Sequence, residues 1–244
     1  MNIETQLKAI EADVNEIKEN VTKVYDAGKT KEWSDFWDVY QDKGNTSRNG
    51  FHKFSGNGWT DKNFKPKYDV IIGNYGFQNS HITDLKQRLI EAGVTCKLQI
   101  SNGVVSNNFS WSNITHIPDL SGQVLTGKLD YTFAYATQLH TIDGLGVSET
   151  ATFPNTFNNN NSLKNITIYG TIGTSIDFRW SPLTVKSCKS IINALKNYAG
   201  TSKALSNKLT LKSECWTALN EAETPPSGNT WQEYVQSLGW LYYA

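Results

Sequence analysis

The chain has 244 residues, with 23 basic and 23 acidic side chains and a formal net charge of zero. That balance argues against nucleic acid as a partner, since phosphate binding draws on an electrostatic excess, and no apolar run reaches the ~20 residues of a membrane span. The cysteines Cys96, Cys188 and Cys215 have neither metal-ligand spacing nor the pattern of a disulfide framework. They read as buried free thiols of a protein made in a reducing cytosol.

The chain opens on an unbroken heptad: Ile3, Leu7, Ile10, Val14, Ile17, Val21 and Val24, with charged and amide residues filling most of the remaining places. A stripe that narrow predicts a coiled-coil seam over residues 1–28 rather than the broader apolar face of a globular helix. With Leu7, Val14 and Val21 at a, Ile3, Ile10, Ile17 and Val24 fall at d. β-Branched residues in both layers disfavour a parallel dimer and point to three or four strands, with a trimer the expected homo-oligomer. Asp13 at g facing Lys18 at the next e is compatible with parallel strands. The alternative is an amphipathic helix lying on its own domain. A charged heptad is not the apolar core of a signal peptide, so Sec-type export is not expected.

Residues 29–72 read as an aromatic-rich collar. Trp33, Phe36, Trp37 and Tyr40 have helical spacing, a Gly-, Asn- and Ser-rich stretch runs from Gly44 to Gly58, and Val70-Ile71-Ile72 is a short β run. Ser80 is expected to cap a helix carrying Ile82, Leu85, Leu89 and Ile90, stopped by Gly93. Val94 to Ile100 then alternates as a strand does.

After Gly103 the sequence repeats. Phe133-x5-Leu139-x2-Ile142 returns 24 residues later as Phe157-x5-Leu163-x2-Ile166, and Ile117-Pro118-Asp119-Leu120 aligns with Ile142-Asp143-Gly144-Leu145 at a step of 25. A period of 24 to 25 lies in the leucine-rich-repeat range. A short strand and its return segment cannot bury their apolar side alone, so stacking must make the core continuous. About three clear units are legible, the first degenerate. The run Asn158 to Asn161 falls at a corner, where Asn tolerates left-handed backbone, or alternatively forms a glycan-binding loop. Towards the C-terminus, Ile191, Ile192, Leu195 and Tyr198 form a helix face ended by Gly200, and Leu209 to Leu211 a strand. Ser213 caps a helix with Trp216 and Leu219, and Thr230 to Glu233 is a capping box ahead of Trp231, Tyr234, Val235 and Leu238. Trp240 to Tyr243 gives a last strand. The predicted fold class is α/β: an N-terminal coiled-coil helix, then over residues 73–244 a small leucine-rich-repeat-like solenoid of short parallel strands with flanking helices and a helical C-terminal cap.

The repeat Thr132-Phe133, Leu139-His140-Thr141-Ile142, Phe157, Leu163-Lys164-Asn165-Ile166 resembles the BspA-like leucine-rich repeats of bacterial surface proteins and of Firmicutes phages and prophages. The stretches Phe36 to Gln41, Phe54 to Gly56, Gly58 to Thr60 and Phe64 to Asp69 look like the segment preceding such repeats in phage structural proteins. Ser181 to Val185, Ser190 to Asn193 and Gly239-Trp240 resemble their C-terminal block. Most of residues 33–244 is covered. The resemblance implies a virion or tail-associated protein assembling with other virion proteins.

No spacing of His52, His81, His116 and His140 forms a metal or catalytic motif, and no phosphate-binding glycine loop is present. His116 and His140 are read as a repeat echo. No cofactor, metal or catalytic residue is expected. The expected function is a non-enzymatic phage appendage, a tail, baseplate or head fibre, that adheres to a bacterial surface glycan or protein by avidity. Tyr131, Tyr135 and Tyr169, which sit beside repeat positions without filling the apolar consensus, are the candidate ligand contacts. A decoration or assembly protein without its own ligand, and a cell-wall hydrolase, are the alternatives.

Overall fold

The computed structural model describes residues 70–73, 76–80, 82–93, 95–98 and 103–244, together with Val14 and Asn15. The expected stem over 1–28, with Ile3, Leu7, Ile10, Ile17, Val21 and Val24, and most of the collar over 29–72 lie outside the described residues. Val14 is helical and 43% exposed.

The fold is mixed α/β, with short parallel strands and few helices. Strands β1 (Val70–Ile72) and β2 (Cys96–Leu98) pair with each other, as do β3 (Val104–Ser106) and β5 (Lys128–Asp130). Strands β4 (His116–Leu125), β6 (Thr141–Val147) and β7 (Asn165–Gly170) form one three-stranded sheet, and β8 (Ile176–Phe178), β9 (Asn207–Leu211) and β10 (Trp240–Tyr243) another. All of these pairs are parallel. Because a parallel pair needs a crossover, the chain must leave and return between β4, β6 and β7, and it does so in one coil each time. Ile117, Ile142 and Ile166 stand in one register row, and Leu120 pairs with Leu145. The repeat alignment read from the sequence is therefore the physical register of the sheet.

Five phenylalanines form the spine of the stack. Phe77, Phe109, Phe133, Phe157 and Phe178 are all buried, their rings stacked at successive centroid distances of 5.8, 5.5, 5.6 and 4.3 Å. Burying each contributes about 1.5–3 kcal/mol, and each stacked contact roughly 0.5–1.5 kcal/mol more. Among the described residues the stack thus has five turns where the fixed-spacing sequence pattern shows about three. The first two follow the shorter form Phe77-x4-Ile82-x2-Leu85 and Phe109-x4-Ile114-x2-Ile117, one residue less before the first aliphatic. Backbone N–H groups of Phe77, Phe109 and Phe133 donate to Asn108, Thr132 and Thr156 oxygens in the next turn at 2.7, 2.8 and 3.1 Å. Inside the corner, Thr132 and Thr156 hydroxyls donate back to the Val105 and Leu129 carbonyls of the preceding coil, and Asn108 does the same to Ile72 and Gly73. Buried backbone oxygens are thereby satisfied where the coil bends.

At both ends of the stack a helix stands where the middle coils have a strand. Helix α1 (Leu85–Ala92) begins at Leu85, the equivalent of Ile117, and α2 (Val185–Asn193) follows the fifth phenylalanine and packs on β7. The cap of α1 is Asp84, whose carboxylate accepts from Gln87 N at 3.1 Å, and not Ser80, whose hydroxyl accepts from Ile82 N instead. Gly93, at φ 67°, ends the helix as expected. The α2 helix is earlier and shorter than the sequence pattern implied. It is capped by Thr184 and ends at Ala194, while Leu195 bridges to Ile172 and the Tyr198 hydroxyl donates to Gly173 O at 2.8 Å. The expected i, i+3 face continued past the helix because those side chains fill the same core from an extended segment. On α2, Ser187 and Ser190 hydroxyls accept from Ile166 N and Ile168 N, both at 2.9 Å. A helix one turn apart in serines thus meets the alternate N–H groups that β7 would otherwise leave open. The opposite edge is met by Gln123 of β4, whose side-chain amide pairs with both Leu98 N–H and Leu98 C=O of β2.

Helix α3 (Ser213–Ala222) starts at Ser213 with Lys212 as cap and no side-chain cap bond, which corrects the assignment of Ser213 as cap. In α4 (Trp231–Ser237), Thr230 Oγ1 accepts from Glu233 N at 3.2 Å, while Glu233 reaches back to Asn229 N rather than to the cap residue. A single apolar core runs from Ile72 to Trp240.

Candidate functional site

Each corner that buries a spine phenylalanine also points a side chain outward two residues later. The turn is set by a hydrogen bond from the N–H three residues on to the phenylalanine oxygen: Ser80 to Phe77, Ser112 to Phe109, Ala136 to Phe133, Asn160 to Phe157 and Ser181 to Phe178, all 2.9–3.4 Å. The outward positions are Asn79, Trp111, Tyr135, Asn159 and Trp180. The first four are left-handed, at φ 57°, 59°, 59° and 55°. A second left-handed position lies four residues earlier in the three middle turns, at Asn107, Tyr131 and Asn155, with φ 51° in each.

Asn is at home in this conformation, whereas a bulky side chain there is an outlier costing of the order of 1–3 kcal/mol. Asn fills both left-handed places of the fourth turn, but Trp111 takes one of the two in the second turn, beside Asn107, and Tyr131 and Tyr135 take both in the third. Trp111 is 54% exposed and stacks on Tyr135 with centroids 4.2 Å apart and planes 7° from parallel. The pair is a second aromatic stack outside the first. Tyr135 in turn accepts from Asn158 Nδ2 at 3.4 Å. The Asn run divides by role: Asn160 is buried and donates to Phe133 O and Ala136 O, Asn159 supplies the left-handed turn, and Asn158 joins the outer surface.

The outer surface continues to the fifth turn as a hollow of about 320 Å3 lined by Asn155, Asn158, Asp177, Arg179 and Trp180, the last 44% exposed. Asp177 holds Arg179 through its backbone N–H, Nε and a 2.6 Å contact to the terminal guanidinium nitrogen. Hydrogen bonding and charge from Asp177 push the Arg179 ionisation further up. A broader groove of about 550 Å3 adjoins it, with Lys128 and Lys208 on its walls.

Of the three candidate tyrosines, Tyr131 and Tyr135 share the third turn and are half-buried, while Tyr169 lies elsewhere, on β7. Tyr169 is 49% exposed and its ring sits against Gly144, where any Cβ would fall 3.0 Å from the ring and 2.2 Å from Asp119 Oδ1. Trp111 and Trp180 escaped the sequence reading, although the recurring Phe-x-aromatic triplets at Phe109, Phe133 and Phe178 carried the signal. His116 is not echoed by His140: the register pairs His116 with Thr141. His116 Nε2 instead meets Asp143 Oδ1 at 2.7 Å, and Lys86 Nζ meets Asp143 Oδ2 at 2.7 Å. Burial raises the Asp143 pKa, but hydrogen bonds and charge from Lys86 and His116 outweigh it and hold the carboxyl below its usual range. All three cysteines are buried, and a hydrogen bond with Cys215 together with burial pushes the Cys188 thiol up, so it stays protonated. Among the described residues no group of three or more metal-ligating side chains converges, and no helix is long and apolar enough to cross a membrane.

Fold and surface together define a stacked-coil α/β protein with an aromatic outer corner. No protein-family model, curated protein or solved structure matches the chain.

Proposed function

We propose that this chain is a non-enzymatic adhesion protein of a phage particle, a homo-oligomer joined through its N-terminal heptad and presenting a leucine-rich-repeat-like solenoid to the bacterial surface. The stem anchors to other virion proteins, and the corner column makes the contact. The observation that carries the reading is the exposed Trp111–Tyr135 stack in left-handed backbone. Strain kept at a surface where Asn would relieve it marks a position selected for what it touches. Exposed Val14, a seam residue, supports burial against another copy. A contiguous aromatic pair favours adhesion over a ligand-free decoration role, which calls for a polar outer face. Avidity supplies the mechanism, since a trimer converts three weak contacts into one slow-leaving attachment.

The test is binding of labelled full-length chain to a panel of Firmicutes cells, beside Ile10→Asp/Ile17→Asp. Light scattering is expected to give a trimer for the parent and a monomer for the variant, with cell binding at least about tenfold weaker in the monomer. A monomeric parent, or a parent that binds none of the cells, overturns the proposal.

A further inference from the structure

We propose that the hollow between the fourth and fifth turns is a subsite for a neutral sugar ring of a cell-surface glycan. The inference rests on the adhesion reading and names the chemistry of its ligand. The hollow's volume of about 320 Å3 is at the small end of ligand sites, which run from roughly 300 to 1,000 Å3, and suits one or two pyranose rings. Its wall carries one exposed indole, Trp180, and its remaining polar groups are two amides, an ion pair and the Thr156 hydroxyl, which is already bonded to Leu129 O.

That combination matches a polyol better than other ligands. A sugar hydroxyl both donates and accepts, and so do the Asn155 and Asn158 amides. Asp177 and Arg179 stand side by side as acceptor and donor, locked to each other by Nε contacts of 2.9 and 3.1 Å, so a vicinal diol can give a proton to one and take one from the other. Their charges cancel, which removes the attraction a phosphate or a free cation needs. The indole offers a flat apolar surface to the C–H face of the ring. Because the ion pair is ordered before any ligand arrives, little side-chain freedom is lost on binding. Asn158 ties the hollow to the outer column through Tyr135. A glycan chain therefore has a path from Trp180 toward the Trp111–Tyr135 stack along the coil axis.

The test uses the full chain and saturation-transfer NMR with glucose, galactose, mannose, rhamnose, N-acetylglucosamine and N-acetylgalactosamine. At least one sugar is expected to receive saturation. Trp180→Ala and Asn158→Ala are each expected to weaken it about tenfold, with unchanged melting temperature, while Val124→Ala, an exposed position on β4 outside the hollow, leaves the monosaccharide signal intact. No transfer to any of the six sugars, or equal transfer in Trp180→Ala, overturns the proposal. Cell binding separates this idea from the one beneath it. Adhesion lost after periodate but kept after protease supports the sugar subsite. Adhesion kept after periodate and lost after protease sinks the subsite and leaves adhesion standing. Sugar transfer without binding to any cell does the reverse.

Discussion

Two aromatic stacks run along the same corner of this molecule, two residues apart in sequence, and they obey different rules. The inner one is Phe in all five turns and almost wholly shielded from water. The outer one changes identity from turn to turn, aromatic at Trp111, Tyr135 and Trp180 but Asn at Asn79 and Asn159. Inside, each ring must fill the space left by its neighbours, so one residue type recurs. Outside, the left-handed backbone of the first four positions prefers Asn, and the departures at Trp111 and Tyr135 need another cause. Repetition in this protein reports packing, and under the proposed adhesion reading broken repetition reports contact with something else.

Substitutions can break that comparison. The largest effect is expected inside: Phe133→Ala removes a ring stacked on both faces and should cost about 3–5 kcal/mol in urea unfolding of the full chain. Phe178→Ala, which among the described residues stacks on Phe157 alone, should cost measurably less; equal losses would mean that stacking adds nothing to burial. Trp111→Asn comes next. Relief of left-handed strain, about 1–2 kcal/mol, offsets a lost stack of about 0.5–1.5 kcal/mol, so stability should move by under about 1 kcal/mol while cell binding falls about tenfold. A loss near that of Phe133→Ala would place the outer stack among the structural elements. The smallest effect is electrostatic. Asp143 is held below the usual carboxylate range near about 3.9, so its contribution is fully present above that value and fades as pH falls through the depressed one. Asp143→Asn should flatten the stability profile below about pH 4, by about 1 kcal/mol or less for so accessible a pair. An unchanged acid limb would show that Lys86 and His116 do not hold this carboxylate.

Much of the stack was legible in the residues because the strand register is itself a sequence repeat: Ile117, Ile142 and Ile166 pair as they align. The first and fifth turns, and the phenylalanine of the second, were hidden by a one-residue difference between phenylalanine and aliphatic, since the loop there has slack that a fixed-spacing pattern does not. Helix limits at α2 were misjudged because Leu195 and Tyr198 keep helical spacing while entering the core from extended chain. Tyr131 and Tyr135 were picked out as residues off the consensus, but their left-handed backbone was invisible without coordinates. Trp180 joins Asn155 and Asn158 only through the stacking of two coils, and residues more than twenty apart acquire that proximity from register alone.

The serines of α2 have a consequence for the multi-copy display proposed above. A parallel ladder with a bare rim is a template on which another chain's strand can grow, and crowding copies at the end of a stalk raises the chance of such zippering. By turning Ser187 and Ser190 onto the last strand's N–H groups, the chain ends that ladder with hydroxyls that offer no continuing backbone. In the proposed oligomer, neighbouring heads can then stand close together without seeding a fibril from this sheet.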